Sequence, residues 1–313
     1  MKLLVPDSIE LDLALPVGVE SVVYPIDEPV AAEHTDAGAL VVWGNPDAQL
    51  RDAAERLRDL RWVQTLAAGP DAVLAAGFAA DVLITAGGGL HDHTVAEHTL
   101  ALVLAAARRL HLLVRAQVGH RWAGELGGRQ PVSQPDSFRT VRGARVVIWG
   151  FGGIAATLAP HLRALGATVT GVARSAGHRH GFPVVTAADL VELLPRTDLL
   201  INILPATPQT SRVVDGAVLG LLPSHAWLVN VGRGATVDEA ALLDSLRSGR
   251  LGGAALDVFA SEPLPPGSAL WDEPNLIVSP HAAGGRPLGA AELILANLSA
   301  LRAGEPLRHL VAR

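Results

Sequence analysis

The stretch "VVIWGFGGIAATLAPHLRAL", residues 146–165, decides the fold. An apolar run rich in β-branched residues ends at Gly150, and a helix-like pattern begins almost at once. Gly150, Gly152 and Ala155 fall in a G-x-G-x-x-A spacing between a strand and a helix. Each small residue answers a physical need. Gly150 allows a tight turn, Gly152 lets a pyrophosphate approach the backbone, and Ala155 lets the helix pack close to the strand. The N–H groups of the helix start can then hold phosphates. Ile154, Leu158, Leu162 and Leu165 are expected to share the apolar face of this helix, with Pro160 bending it slightly.

Outward from this stretch, short apolar runs recur at regular intervals. Before it come "KLLV" near 2, "SVVY" near 21, "ALVVW" near 39, "WVQTL" near 62 and "DVLIT" near 81. After "RVVIW" at 145 come "TVTGVA" at 168, "DLLINIL" at 198, "AWLVNV" at 226, "GAALDVF" at 253 and "NLIVSP" at 275. Helical patterns separate most of them, as in 48–60, where Leu50, Ala54, Leu57 and Leu60 share a face. Alternating strands and helices imply parallel sheets covered by helices. The stretch from Thr94 to Val118 reads as one long, apolar helix, and 288–302 as a last helix. Residues 124–140, polar with two prolines, read as a loop.

The 313 residues are long for one core and comfortable for two domains. Apolar residues make up 49% and charged residues 18%, a globular composition. The formal net charge is −6 and no basic block stands out, which argues against nucleic acid as a partner. Without cysteine there is no disulfide, thiolate metal site or cysteine nucleophile. No apolar run is long enough to span a bilayer and the start does not read as a secretory signal, so a cytoplasmic protein without membrane contact is expected.

Past the glycine loop, the next strand runs into Ala173, Arg174 and Ser175, with His178, Arg179 and His180 close by. An NAD site usually places an acid here, on the ribose 2′-hydroxyl. Arginine and serine suit a 2′-phosphate through charge-assisted hydrogen bonds, so NADP(H) is the preferred cofactor, with NAD(H) possible. Three further motifs close the later strands. "NVGRG" carries Arg233, "LDVFASEPL" carries Asp257 and Glu262, and "SPHAAG" carries His281 behind the rigid Pro280. Ligands gather at the carboxyl ends of parallel strands, where all three motifs lie.

With "LPATPQT" at 204–210, these motifs resemble the D-isomer-specific 2-hydroxyacid dehydrogenase family, most strongly over 144–285. The resemblance implies an NAD(P)-dependent oxidoreductase of the glyoxylate/hydroxypyruvate reductase kind. Such an enzyme reduces a small 2-oxo acid to a D-2-hydroxy acid. Arg233 would bind the substrate carboxylate and polarise its oxo group, as a planar guanidinium can. His281 would be the acid–base residue and Glu262 its partner, with Asp257 near the nicotinamide. Further cofactor contacts would come from Phe151, Gly153, Ile154, Leu204, Pro205, Thr210, Val231, Gly232, His281 and Ala283. In "TLAAGPDAV", Ala68 and Gly69 would offer backbone N–H groups to the substrate. Trp43, Gly44 and Asn45 are weaker candidates.

The resemblance also implies the architecture: α/β, two Rossmann-like or flavodoxin-like domains with parallel sheets and a cleft between them. Residues 1–93 and 282–313 would form the substrate domain and 94–281 the NAD(P)-binding domain. A homodimer is expected, with the 99–118 helix a candidate interface. The rival readings are a D-2-hydroxyacid or phosphoglycerate dehydrogenase working in the oxidative direction, and a non-catalytic NAD(H)-sensing scaffold. A scaffold would not need Arg233, Glu262 and His281 together. The cluster His91, His93, Glu97 and His98 matches no standard zinc spacing, so no metal is expected, and Thr94 is a candidate cap for the long helix. Of the tryptophans, Trp122 and Trp271 are candidates for the substrate site or a subunit contact, although core packing is the commoner fate.

Overall fold

Runs of four or five apolar residues become strands, and the inner ones, such as Ala39–Val42 and Leu199–Asn202, are buried on both faces, as parallel sheets covered by helices require. The computed structural model of the protein describes residues 1–127 and 138–312. The chain forms two compact units, Met1–His91 with Arg286–Arg313, and Asp92–Gly285. The expected boundaries, 93/94 and 281/282, sit a few residues inside these. Asp92 already opens a helix of the second unit, and residues 282–284 are hydrogen-bonded within that unit to Asp257 and Thr94.

In the first unit, β1 (Lys2–Pro6), β2 (Glu20–Tyr24), β3 (Ala39–Val42), β4 (Trp62–Thr65) and β5 (Leu83–Thr85) form a sheet in the order β2-β1-β3-β4-β5. All its pairings are parallel. Alternate residues serve opposite faces. Leu4, Leu40, Val42 and Val63 pack with Leu50, Ala53 and Leu57, from α1 (Asp47–Arg56) and its end. Leu3, Val5, Ala39, Val41 and Trp62 pack with Leu293, Ile294, Leu298 and Leu301 of the last helix, Ala290–Ala303. A buried polar set ties that helix to the sheet: Asn297 Nδ2 donates to Gln64 Oε1 at 2.8 Å, and Arg308 N donates to Asn297 Oδ1 at 2.7 Å. A second short helix, α2 (Asp71–Ala75), follows β4.

The second unit begins with α3 (Asp92–Ala107), α4 (Leu110–Val118) and α5 (Gly124–Gly127). The expected single helix over 94–118 is therefore broken, because Arg109 adopts a left-handed conformation (φ 53°). Nor does Thr94 cap it: the helix starts two residues earlier, and Thr94 Oγ1 donates instead to Gly284 O. Of the loop expected over 124–140, the first four residues are α5, and 128–137 lie outside the described residues.

Then come β6 (Arg145–Trp149), α6 (Gly153–Ala164), β7 (Thr168–Val172), β8 (Gly177–Arg179), β9 (Phe182–Val185), β10 (Leu199–Asn202), β11 (Trp227–Asn230), β12 (Gly253–Leu256) and β13 (Leu276–Val278). The sheet order is β13-β12-β11-β10-β6-β7-β9-β8, parallel except for the β8–β9 hairpin at its edge. The sequence pattern does not reveal that hairpin. Helix α6 buries Ala155, Leu158, Ala159 and Leu162, but it ends before Leu165, which is left exposed. Trp62, Trp149 and Trp227 are buried as core residues, whereas Trp122 and Trp271 stand exposed. No helix among the described residues is long and apolar enough to cross a membrane.

His111 on α4 meets Trp227 edge-on, with ring centroids 5.5 Å apart. Burial, and then the positive charge of Arg115, push its pKa down to about 4. The unfolded chain takes up a proton near the ordinary histidine value of 6.5, which the folded chain accepts only near 4. The contribution of neutral His111 is thus complete above the unfolded value and is lost as pH falls from 6.5 towards 4. Urea unfolding across that window should show His111→Phe losing less stability on acidification than the unaltered protein.

Candidate active site

Strand order creates the site before any side chain does. From β6 the chain winds outward to β7, then returns across β6 to β10. The loops leaving β6 and β10 therefore run in opposite directions, which opens a crevice at the carboxyl ends of these two strands. Gly150 turns with φ 102°, and a Cβ there would lie 2.6 Å from Ile203 O, at the end of β10. Only glycine meets both demands. Gly152 differs: its φ is −108° and a Cβ there would meet nothing within 4 Å. The space beside its backbone is what a pyrophosphate would fill. Gly153 and Ile154 open α6, whose first intrahelical bond runs from Ala156 N to Gly152 O, so their N–H groups lie ahead of the ladder. Ala155 is fully buried on α6. Phe151 is also buried, packing on Gly171 and Phe182, so only its backbone can face a ligand. The cradle fits a dinucleotide.

At the end of β7, Arg174 and Ser175 are exposed. Arg179, on β8, reaches back to Ser175. Its Nη2 donates to Ser175 O at 2.9 Å and to Ser175 Oγ at 2.7 Å, and its Nη1 donates to Phe151 O at 3.4 Å. The hairpin thus ties the tip of β7 to the glycine loop.

The ends of β10 and β11 are joined by a buried amide network. Asn202 Nδ2 donates to Asn230 Oδ1 at 3.1 Å and to Thr236 Oγ1 at 2.6 Å. Asn230 Nδ2 and Thr236 Oγ1 both donate to Arg233 O, at 3.2 and 2.6 Å. All three side chains are fully buried. Buried amides unmet by partners would cost roughly 1–3 kcal/mol each, so the network commits the Arg233 turn to one shape. Gly232 packs on Leu204, where a Cβ would come within 2.6 Å of its carbonyl oxygen, and Val231 is buried beside it. After Leu204 and Pro205, Thr210 Oγ1 donates to Pro205 O at 2.6 Å and closes that loop on itself.

The ends of β12 and β13 carry the ionisable pair. His281 Nδ1 lies 2.6 Å from Glu262 Oε2. A carboxylate only accepts, so Nδ1 donates and Nε2 is left facing away from Glu262. Phe259 N donates to the other carboxylate oxygen at 2.8 Å. Gly234, next to Arg233, packs directly on the Phe259 backbone, which brings the arginine turn against the Glu262 loop. His281 is in the left-handed region (φ 51°), its N–H donating to Asp257 O at 2.7 Å. The Asp257 carboxylate is buried and accepts from Ala282 N and Ala283 N at 2.9 and 3.0 Å. The second unit thus gathers the glycine loop, Arg233, Asp257, Glu262 and His281 at the carboxyl ends of neighbouring strands. Ala68 and Gly69 belong to the first unit, on the loop after β4.

The family model described as D-isomer specific 2-hydroxyacid dehydrogenase, NAD binding domain, matches residues 100–283, more than half of the chain. The chain belongs to the D-isomer specific 2-hydroxyacid dehydrogenase family. Members of this family are NAD(P)-dependent oxidoreductases acting on 2-hydroxy acids, and the chain is an enzyme of this class. Among curated relatives it resembles glyoxylate/hydroxypyruvate reductase A of Klebsiella pneumoniae (strain 342), 35% identical over 224 residues, 69% of this chain and 67% of the relative. Among solved structures it resembles a D-isomer specific 2-hydroxyacid dehydrogenase family protein from Aeromonas salmonicida, with TM-score 0.83, 27% identity and coverage of 99% and 98% of the two chains. It also resembles the NADPH-dependent glyoxylate/hydroxypyruvate reductase of Sinorhizobium meliloti in complex with NADP and sulfate, with TM-score 0.79, 28% identity and coverage of 99% and 98%.

In this dehydrogenase, sequence reasoning missed Asn202, Asn230 and Thr236, and gave no role to Ser279 or Arg179. The signal for the asparagines was present: "LLIN" and "WLVN" each end an otherwise apolar buried strand in an amide. The histidine cluster around the start of α3 dissolves into separate contacts. His91 Nε2 is 2.9 Å from Leu66 O and its ring stacks on Trp43, while His98 faces Ser279. Among the described residues no group of three or more His, Cys, Asp or Glu is placed to hold a metal.

The two loop glycines should respond differently to the same substitution. Gly152→Ala should keep the thermal midpoint of the unaltered protein but weaken NAD(P)H binding at least about tenfold, since its Cβ enters only ligand space. Gly150→Ala should lower both, since its Cβ strikes Ile203. Fluorescence titration with NADPH, alongside thermal unfolding, separates the two.

Proposed function

We propose that the protein reduces a small 2-oxo acid of the glyoxylate or hydroxypyruvate kind to the D-2-hydroxy acid, with NADPH as the preferred hydride donor. The observation that carries the reading is the His281–Glu262 pair, with Nδ1 engaged at 2.6 Å, set against the Arg233 turn at the carboxyl ends of the strands. Reduction of a 2-oxo acid needs an anchor for its carboxylate and a proton donor for its carbonyl oxygen. Arg233 anchors the carboxylate through its planar fork and polarises the oxo group. Glu262 holds His281 by Nδ1, so that Nε2 delivers a proton to the carbonyl oxygen in reduction and takes it back in oxidation. Bound nicotinamide supplies the hydride. Ala68 and Gly69 are assigned to the substrate as backbone donors.

The preference for NADPH is supported by Arg174 and Ser175, with no carboxylate among the residues at the end of β7, and by Arg179 bonded to Ser175. A 2′-phosphate is favoured by these cations and would be repelled by an acid. The names of the Klebsiella and Sinorhizobium relatives point to the same substrates, and that of the Sinorhizobium enzyme to the same cofactor. A cytoplasmic homodimer completes the reading. Leu110, Leu113, Val114 and Val118 of α4 and the nearby Trp122, 96% exposed, present an apolar face that a second copy of the chain would cover.

Absorbance at the reduced-nicotinamide band should fall when NADPH meets glyoxylate or hydroxypyruvate. His281→Ala should lower kcat by about 10²–10⁴-fold, a far larger change than any in the Kd for NADPH. Arg174→Asp should raise KM for NADPH at least about tenfold more than KM for NADH. Retained turnover in the first variant, or equal effects on both cofactors in the second, would refute the corresponding role. Sedimentation should give the mass of two chains for the native protein and of one for a Val114→Glu, Trp122→Glu variant. A native protein sedimenting as one chain would remove the dimer.

A further inference from the structure

Helix α3 grips the turn that carries His281 at two points on one face. Thr94 Oγ1 donates to Gly284 O at 2.5 Å. Four residues on, His98 Nε2 lies 2.9 Å from Ser279 Oγ and 3.3 Å from Asp257 Oδ1. Residues i and i+4 of a helix project together, so one face reaches both ends of the 279–284 turn.

The directions of these bonds follow from what each group can donate. Asp257 is 1% exposed and receives Ala282 N–H on Oδ1 and Ala283 N–H on Oδ2. Ser279 Oγ is 2.6 Å from the same Oδ1, and its single proton goes to that oxygen. The Ser279 oxygen is then left as an acceptor, and His98 must present an Nε2–H to it. The result is a chain from His98 through Ser279 to Asp257, whose carboxylate collects the two backbone N–H groups that follow His281. The Asp257 carbonyl takes the His281 N–H itself, at 2.7 Å. A left-handed non-glycine residue is held only where its surroundings over-determine it.

We propose that His98 is a positioning residue for His281. It donates to Ser279, fixes the Asp257 carboxylate as the clamp of the 279–283 turn, and so aims the imidazole that moves the proton. The inference rests on the reading of His281 as the acid–base group, but the clamp itself can be measured without turnover. A displacement of about 1 Å at a reacting group can cost on the order of a hundredfold in rate. No contact between His98 and substrate is needed for it to matter.

The test compares His98→Leu, which loses the donor, with His98→Gln, whose side-chain amide can place an N–H near the position of Nε2. Hydrogen–deuterium exchange of the full-length protein is followed over residues 279–285. In His98→Leu, the amides of 281–283 should exchange roughly tenfold or more faster. The kcat for glyoxylate with NADPH should fall about ten- to a hundredfold. His98→Gln should recover both. Unchanged exchange in His98→Leu overturns the clamp, as does faster exchange that His98→Gln leaves uncorrected. Faster exchange with an unaltered kcat overturns the positioning role. If the unaltered protein turns over no oxo acid while exchange responds as stated, the acid–base reading fails and the clamp stands.

Discussion

Gly150 rests on the carbonyl of Ile203, and much of the second unit is arranged around that contact. Two adjacent parallel strands send their chains in opposite directions, and the turn leaving β6 must be thin enough for the two backbones to pass. A side chain at 150 would push β6 and β10 apart at the point where they are hydrogen-bonded partners. With the strands held together, the start of α6 and the 204–210 loop are both fixed. The ends of β11 and β12 follow in register, since each strand pairs with its neighbour residue for residue.

The sheet ends are then made rigid by polar groups that the interior must satisfy. Asn202, Asn230 and Thr236 lie where apolar residues would give more burial energy and no direction. Their amides and hydroxyl have few alternative partners, so the Arg233 turn has few alternative shapes. The same holds at the end of β12, where a buried carboxylate is surrounded by donors from one short turn. Stability in both places is exchanged for definition of geometry.

Strands and the glycine loop were legible because their signals are local. Apolar runs, small residues at fixed spacing and charged residues directly after strands can all be read within about ten positions. The resemblance to a family added Arg233, Glu262 and His281, which spacing alone could only nominate. Features decided by distant contacts escaped. The break at Arg109 depends on a single residue turning left-handed inside a pattern that is otherwise helical throughout. The β8–β9 hairpin is short, and its Arg179 reaches Phe151, 28 residues back, as well as Ser175. The pairing of His98 with Ser279 spans 181 residues, and no local rule joins them. Leu165 fits the helical spacing of α6, but the helix ends one residue too early to include it.

The first unit is built from both ends of the chain, and that sets an order of events during synthesis. Residues 1–91 leave the ribosome with one face of their sheet, including Leu3, Val5, Val41 and Trp62, still lacking the helix that covers it. The 92–285 unit is continuous and can close as soon as β13 has emerged. Only when residues 290–303 appear can Leu293, Ile294 and Leu298 seal the earlier sheet and Asn297 find Gln64. The 1–91 segment is therefore completed only after the 92–285 unit has been made, and in the interval its apolar face is exposed to chaperones or to another nascent chain.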